Sequence, residues 1–224
     1  MFSKENQFST KVELVQGSLE KLIKQFQKKP ADFVYEEELR SLLYNLLREV
    51  FNENQITVSL YEDQWHKEYV GETISPIKAE YGKDSGYFSK YNISDIDLAI
   101  LSEKSIDDEK VNNFQRYCDI IIEIKYSTEK LDSQYGGFVD DIQKIRNAKH
   151  NEKFLGLALC FDLHHFKDSK AENKFLRDYN LKKIDFKKIE ANKINLSESK
   201  CYAMYITPKV VFLSQSLDSK QNDG

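Results

Sequence analysis

Cysteine, proline and glycine are scarce in this chain: three, three and eight among 224 residues. So little Gly and Pro excludes collagen-like and low-complexity chains. Cys118, Cys160 and Cys201 are isolated and odd in number. They fit neither a disulfide framework nor a zinc knuckle and read as buried thiols. No apolar run approaches the roughly 18 residues of a membrane helix. The first residues, Met1 to Lys11, lack the apolar stretch of a secretory leader. No phosphate-binding glycine loop, dinucleotide fingerprint or Gly-x-Ser-x-Gly elbow occurs, which argues against nucleotide-driven and acyl-transfer chemistry. The expectation is a soluble, cytoplasmic protein without a membrane partner.

What is present suffices for one sizeable core. Hydrophobic residues make up 40% of the chain and aromatics 12%, so residues 1–224 read as a single domain. The net charge of −4 hides an asymmetry. Lys144 to Lys193 holds thirteen basic residues against seven acidic ones, whereas Asp95 to Glu109 holds six acids and one Lys. A basic half beside an acidic pocket suits a metal-dependent enzyme acting on a polyanion; ordinary surface charge explains the same numbers.

Periodicity orders the elements. Val12, Val15, Leu19, Leu22, Ile23 and Phe26 form one helical face, and Lys28, Lys29 and Pro30 stop that helix. Its range is about 10–28. Leu39, Leu42, Leu43, Leu46, Leu47 and Val50 mark a second helix, with Glu36, Glu37 and Glu38 in its first turn. Strands are expected over Gln55–Tyr61, Ile74–Tyr81, Ile96–Leu101, Tyr117–Tyr126 and Phe154–Phe161. Helices are expected over Val139–Lys149 and Lys170–Tyr179, and a last strand or strand pair over Met204–Leu213. Tyr117–Tyr126 is nearly all β-branched, the mark of a strand covered on both faces. The fold class is α/β, a central mixed sheet flanked by helices.

Two charges interrupt that strand. In Ile-Ile-Ile-Glu-Ile-Lys, Glu123 and Lys125 are two residues apart and share a face. An acid and a base on a buried strand carry a desolvation cost of several kcal/mol that something must offset. Alternatively, the strand end emerges into solvent and the two form an exposed pair. Asp97, in Ser-Asp-Ile-Asp-Leu-Ala-Ile-Leu, is a second acid in an apolar strand. Carboxylates from neighbouring strands, plus one Lys, make a hard-cation site suited to Mg2+ or Mn2+. Such an ion polarises a phosphate and activates water.

The pattern of Asp97, then Ile-Ile-Glu-Ile-Lys, then a helix and an apolar strand resembles the PD-(D/E)XK nuclease superfamily. The resemblance spans roughly residues 35–162, with a C-terminal helix and strand extension over about 165–214. It implies a restriction-endonuclease-like core and metal-dependent hydrolysis of DNA, in restriction, other defence or repair. Asp97 matches the first acid, and Glu123 and Lys125 match the (D/E)XK element. The Ile124 carbonyl is a further metal ligand by the same match. Lys125 would orient or deprotonate water, or neutralise charge. Glu36 matches the acid many members carry on the preceding helix, with Glu37 and Glu38 as alternatives. Glu80, Gln143 and Lys144 are supporting candidates. The usual Pro before the first acid is absent: Ile96 stands there, and Asp95 precedes it. Many such nucleases are homodimers, and others of the fold are inactive modules that bind nucleic acid or protein.

Weaker signals remain. Lys182, Lys183, Lys187 and Lys188, with Phe186 between, could track a phosphate backbone or form a solvated face. Tyr87, Phe88 and Tyr91 beside Lys83 and Lys90 could stack on bases or cover the core. Cys160, Asp162, His164 and His165 read as strand-end residues rather than a zinc site.

Overall fold

The computed structural model describes residues 4–59, 72–81, 96–105, 116–127, 135–147, 154–163, 169–184, 200–214 and 217. Four helices are described: α1 (Lys4–Lys28), α2 (Glu36–Glu53), α3 (Tyr135–Asn147) and α4 (Ser169–Asp178). The strands are β1 (Val58–Ser59), β2 (Thr73–Ile74), β3 (Ile77–Tyr81), β4 (Ile96–Ser105), β5 (Arg116–Ser127), β6 (Leu155–Asp162), β7 (Leu181–Ile184), β8 (Lys200–Ile206) and β9 (Val211–Ser214). β1 and β2 form a small antiparallel pair. The other seven form one mixed sheet in the order β3-β4-β5-β6-β8-β9-β7. Its centre, β5-β6-β8, is parallel, and both flanks are antiparallel.

The sheet is buried on both faces, as the apolar runs of its parallel strands require. Ile120, Ile122, Ile124, Leu157 and Leu159 pack against α1 and α2. Ile121, Ala158, Cys160 and Tyr205 pack against α3 and α4. The α1 face read from the sequence is buried along its length. On α2, Leu39, Leu43, Leu47 and Phe51 are fully buried, while Leu42, Leu46 and Val50 flank them.

A bulge sets the phase of β5. Ile100 opposes Ile120 and Leu101 opposes Cys118, which leaves Asp119 as the extra residue. A bulge bends its strand and re-aims the side chains beyond it. Cys118 and Ile120 consequently pack on opposite faces, so beyond the bulge the odd-numbered residues of β5 face α3. Lys11 of α1 fastens this point. Its Nζ lies 2.6 Å from Asp119 Oδ2 and donates to the Leu101 carbonyl at 3.0 Å. Lys11 belongs to a polar N-terminal stretch, yet it is 2% exposed.

Several boundaries differ from those expected. α3 starts at Tyr135 rather than Val139, because Gly136 and Gly137 enter its first turn. β4 continues past Leu101 to Ser105 through charged residues. Only Val58 and Ser59 of the Gln55–Tyr61 expectation are described as strand. β7, with its two central lysines, is a strand that periodicity does not predict. Met204–Leu213 resolves into the β8-β9 hairpin, turned by Thr207 to Val210.

Candidate active site

Glu123 and Lys125 share the α3 face of β5, and each meets a different partner. Lys144 of α3 stands 2.8 Å from Glu123 Oε1. The charge and hydrogen bond of Lys144 act on the Glu123 carboxyl against its burial. The Glu123 side chain is only 3% exposed, so the exposed Glu123–Lys125 pair considered for this strand is ruled out. Lys125 instead approaches Glu36 of α2, with Nζ 3.3 Å from Oε2. That same oxygen accepts the Tyr126 backbone N–H at 3.1 Å.

Asp97 stands at the start of β4. Its Oδ2 accepts the Ile124 N–H at 2.7 Å, and its Oδ1 accepts from Arg40 Nη1 of α2 at 3.1 Å. Asp97, Glu123, Lys125 and Glu36 therefore lie together, with the Ile124 backbone between them. Asp141, on α3 three residues before Lys144, acts electrostatically on all four. The cluster holds the acids Glu36, Asp97, Glu123 and Asp141 against the bases Arg40, Lys125 and Lys144.

Burial is the main force on the Glu123 carboxyl. It overrides the opposing pull of Lys144 and, helped by Asp97 and Asp141, pushes the group up to about 8. Burial likewise lifts Asp141 to about 6 against Lys125 and Lys144. For Lys125, burial works to lower the value, but Glu36, Asp141 and Asp97 outweigh it and hold the ammonium above the ordinary lysine value. As placed, Lys125 is a cation rather than a base.

The site is deepest at Glu123 and opens toward α2. Side-chain exposure rises to 16% at Asp97 and to 35% at Lys125. Gly137 of α3 leaves room for Lys125: a Cβ there would stand 3.2 Å from its Cε.

Among the described residues, no three His, Cys, Asp or Glu side chains form a metal cage. The candidate donors are Asp97, Glu123 and the Ile124 carbonyl. Oxygens in that number suit a hard ion that keeps several waters. Glu123 is a buried carboxyl whose burial disfavours its charge, a cost that such an ion would offset.

The other candidates lie at varying distances from this cluster. Lys144 reaches the site, whereas its neighbour Gln143 is exposed. Glu38 is occupied in capping α2, where Oε2 accepts the N–H of Val34 at 2.6 Å and of Tyr35 at 3.0 Å. Glu37 is exposed. Lys182 and Lys183 are exposed on β7, four strands from β5 and so about 19 Å across the sheet. The side chain of Glu80 lies outside the described residues. So do Lys187 and Lys188, the 82–95 segment with its aromatics, and His164 and His165. Asp162 is wholly buried and bonded to the Tyr205 hydroxyl. Arg40, Asp141 and Gly137 do not stand out in the sequence. Arg40 follows Glu36 by four residues and Asp141 precedes Lys144 by three, so helical spacing alone points to them. Compared with known proteins, the chain matches no family model, no curated protein and no solved structure.

Proposed function

We propose that this protein is a metal-dependent nuclease with a restriction-endonuclease-like PD-(D/E)XK core, hydrolysing phosphodiester bonds of DNA. The observation that carries this is the buried Glu123, set beside Asp97 in a cluster of seven ionisable groups. A core strand gains nothing from such groups; well-packed apolar residues there are often neutral or stabilising. Function gives a reason to keep them.

Asp97, Glu123 and the Ile124 carbonyl would hold Mg2+ or Mn2+, which when bound polarises the scissile phosphate and lowers the pKa of an attacking water. Lys125 supplies a positive charge at the open side of the site, where charge grows on the phosphate oxygens. Glu36 holds Lys125 in place through the 3.3 Å pair. Arg40 pairs with Asp97 and Lys144 with Glu123 in the ion-free protein. Nucleic acid is the partner in this reading, and the cytoplasm its place of action.

The test is cleavage of plasmid, linear and single-stranded DNA in Mg2+, Mn2+ or EDTA. Glu123→Ala and Lys125→Ala are run beside the wild type. The proposal expects ion-dependent cutting that both variants lose. Cutting at the wild-type rate by Lys125→Ala contradicts it. A second reading has an observation of its own. The Arg40–Asp97 and Lys144–Glu123 pairs already occupy both acids, as in an inactive module that binds nucleic acid or protein. That reading expects no Mg2+ or Mn2+ affinity dependent on Glu123.

A further inference from the structure

An exposed aromatic adjoins a residue of the site. Tyr35 is 65% exposed, and among the described residues only Val34 beside it is another exposed large hydrophobic. A single exposed aromatic is ordinary; its position is what matters. Tyr35 immediately precedes Glu36, on the side where exposure climbs from Glu123 to Lys125.

The backbone that presents Tyr35 is tied to the site at both ends. The Tyr126 hydroxyl donates to the Phe33 carbonyl at 2.6 Å, and the Tyr126 N–H donates to Glu36 at 3.1 Å. Tyr126 directly follows Lys125 in β5. Phe33 is buried against Phe26, whose ring also meets Tyr126 edge-on. The Tyr35 N–H is held by Glu38. The segment 33–36 is thus held at several points, and its one outward aromatic is the chain neighbour of Glu36, whose carboxylate pairs with Lys125.

Resting on the nuclease reading, we infer that Tyr35 is a stacking platform for an unpaired nucleobase next to the phosphate at the site. A ring can stack only on a base whose face is free. The favoured substrate is therefore single-stranded DNA or a frayed end, not a continuous duplex.

Binding is measured in EDTA by fluorescence anisotropy, with a labelled single strand and a relaxed, covalently closed duplex minicircle. Wild type, Tyr35→Ala and Tyr35→Phe are compared. Tyr35→Ala should weaken single-strand binding about tenfold, one base's worth of stacking. It should leave binding to the minicircle unchanged, and Tyr35→Phe should bind like wild type. Wild-type affinity of Tyr35→Ala for the single strand overturns the inference and leaves the nuclease reading standing. An equal loss on both DNAs also overturns it. Failure of the wild type to bind either DNA overturns both.

Discussion

The Nζ of Lys144 stands 2.8 Å from Oε1 of Glu123, a carboxylate that is 3% exposed. The pair joins α3 to β5 and keeps a buried acid from being an isolated charge. Removing only the base should be costly. Lys144→Met is expected to destabilise the protein by about 3 to 5 kcal/mol at about pH 9. The loss should shrink at about pH 5, where Glu123 holds its proton, and Lys144→Met combined with Glu123→Gln should recover most of it. Denaturant midpoints of the three variants measure this.

The same carboxyl makes stability depend on pH. Its value rises from 4.5 to about 8 on folding, so the folded protein keeps a proton that the unfolded chain has released. Its contribution is fully present below pH 4.5 and is lost as pH rises through 8. Asp141, lifted from 3.8 to about 6, acts with the same sign in the lower window. Urea denaturation from about pH 5 to about pH 8.5 should show falling stability in the wild type. Glu123→Gln should flatten the slope and exceed the wild type in stability at the upper end.

Gly137 tests whether Lys125 is positioned. Alanine suits a helix better than glycine by about 1 kcal/mol, yet its Cβ would press on Lys125 Cε at 3.2 Å. The flexible end of the lysine gives way. Gly137→Ala should therefore keep or raise the melting temperature while lowering cleavage, up to about a hundredfold for a shift near 1 Å.

Lys11 and Asp119 test the scaffold apart from the site. Asp119 precedes Glu123 by four residues, about 13 Å along a strand. Lys11→Met leaves Asp119 unpaired at the bulge and should cost about 3 kcal/mol or more. Adding Asp119→Leu should restore much of that. A denaturant titration decides, and a Lys11→Met variant as stable as the wild type would mean that the pair does not hold the bulge.

Helical and strand periodicity made most of the scaffold legible. The stripes of α1 and α2 and the β-branched run of β5 read directly because burial selects apolar residues at those spacings. β7 was illegible because its Leu-Lys-Lys-Ile pattern carries no alternation; its pairing with β9 decides it. The start of α3 was hidden by Gly136 and Gly137, of which Gly137 makes space for Lys125. In the site, Asp97, Glu123 and Lys125 stood out because charge is anomalous in apolar strands. Arg40 and Asp141 did not, because charged residues on a helix are ordinary until the fold shows what they face. Lys11 was hidden in the same way, as its partner is 108 residues distant.

Cleavage depends on offering the right DNA, whereas ion binding does not. Calorimetric titration of Mn2+ into the wild type and Glu123→Gln, with no nucleic acid, therefore tests the buried acids most directly. The account predicts saturable binding in the wild type that Glu123→Gln abolishes. No binding in the wild type, or binding unchanged by Glu123→Gln, would contradict it.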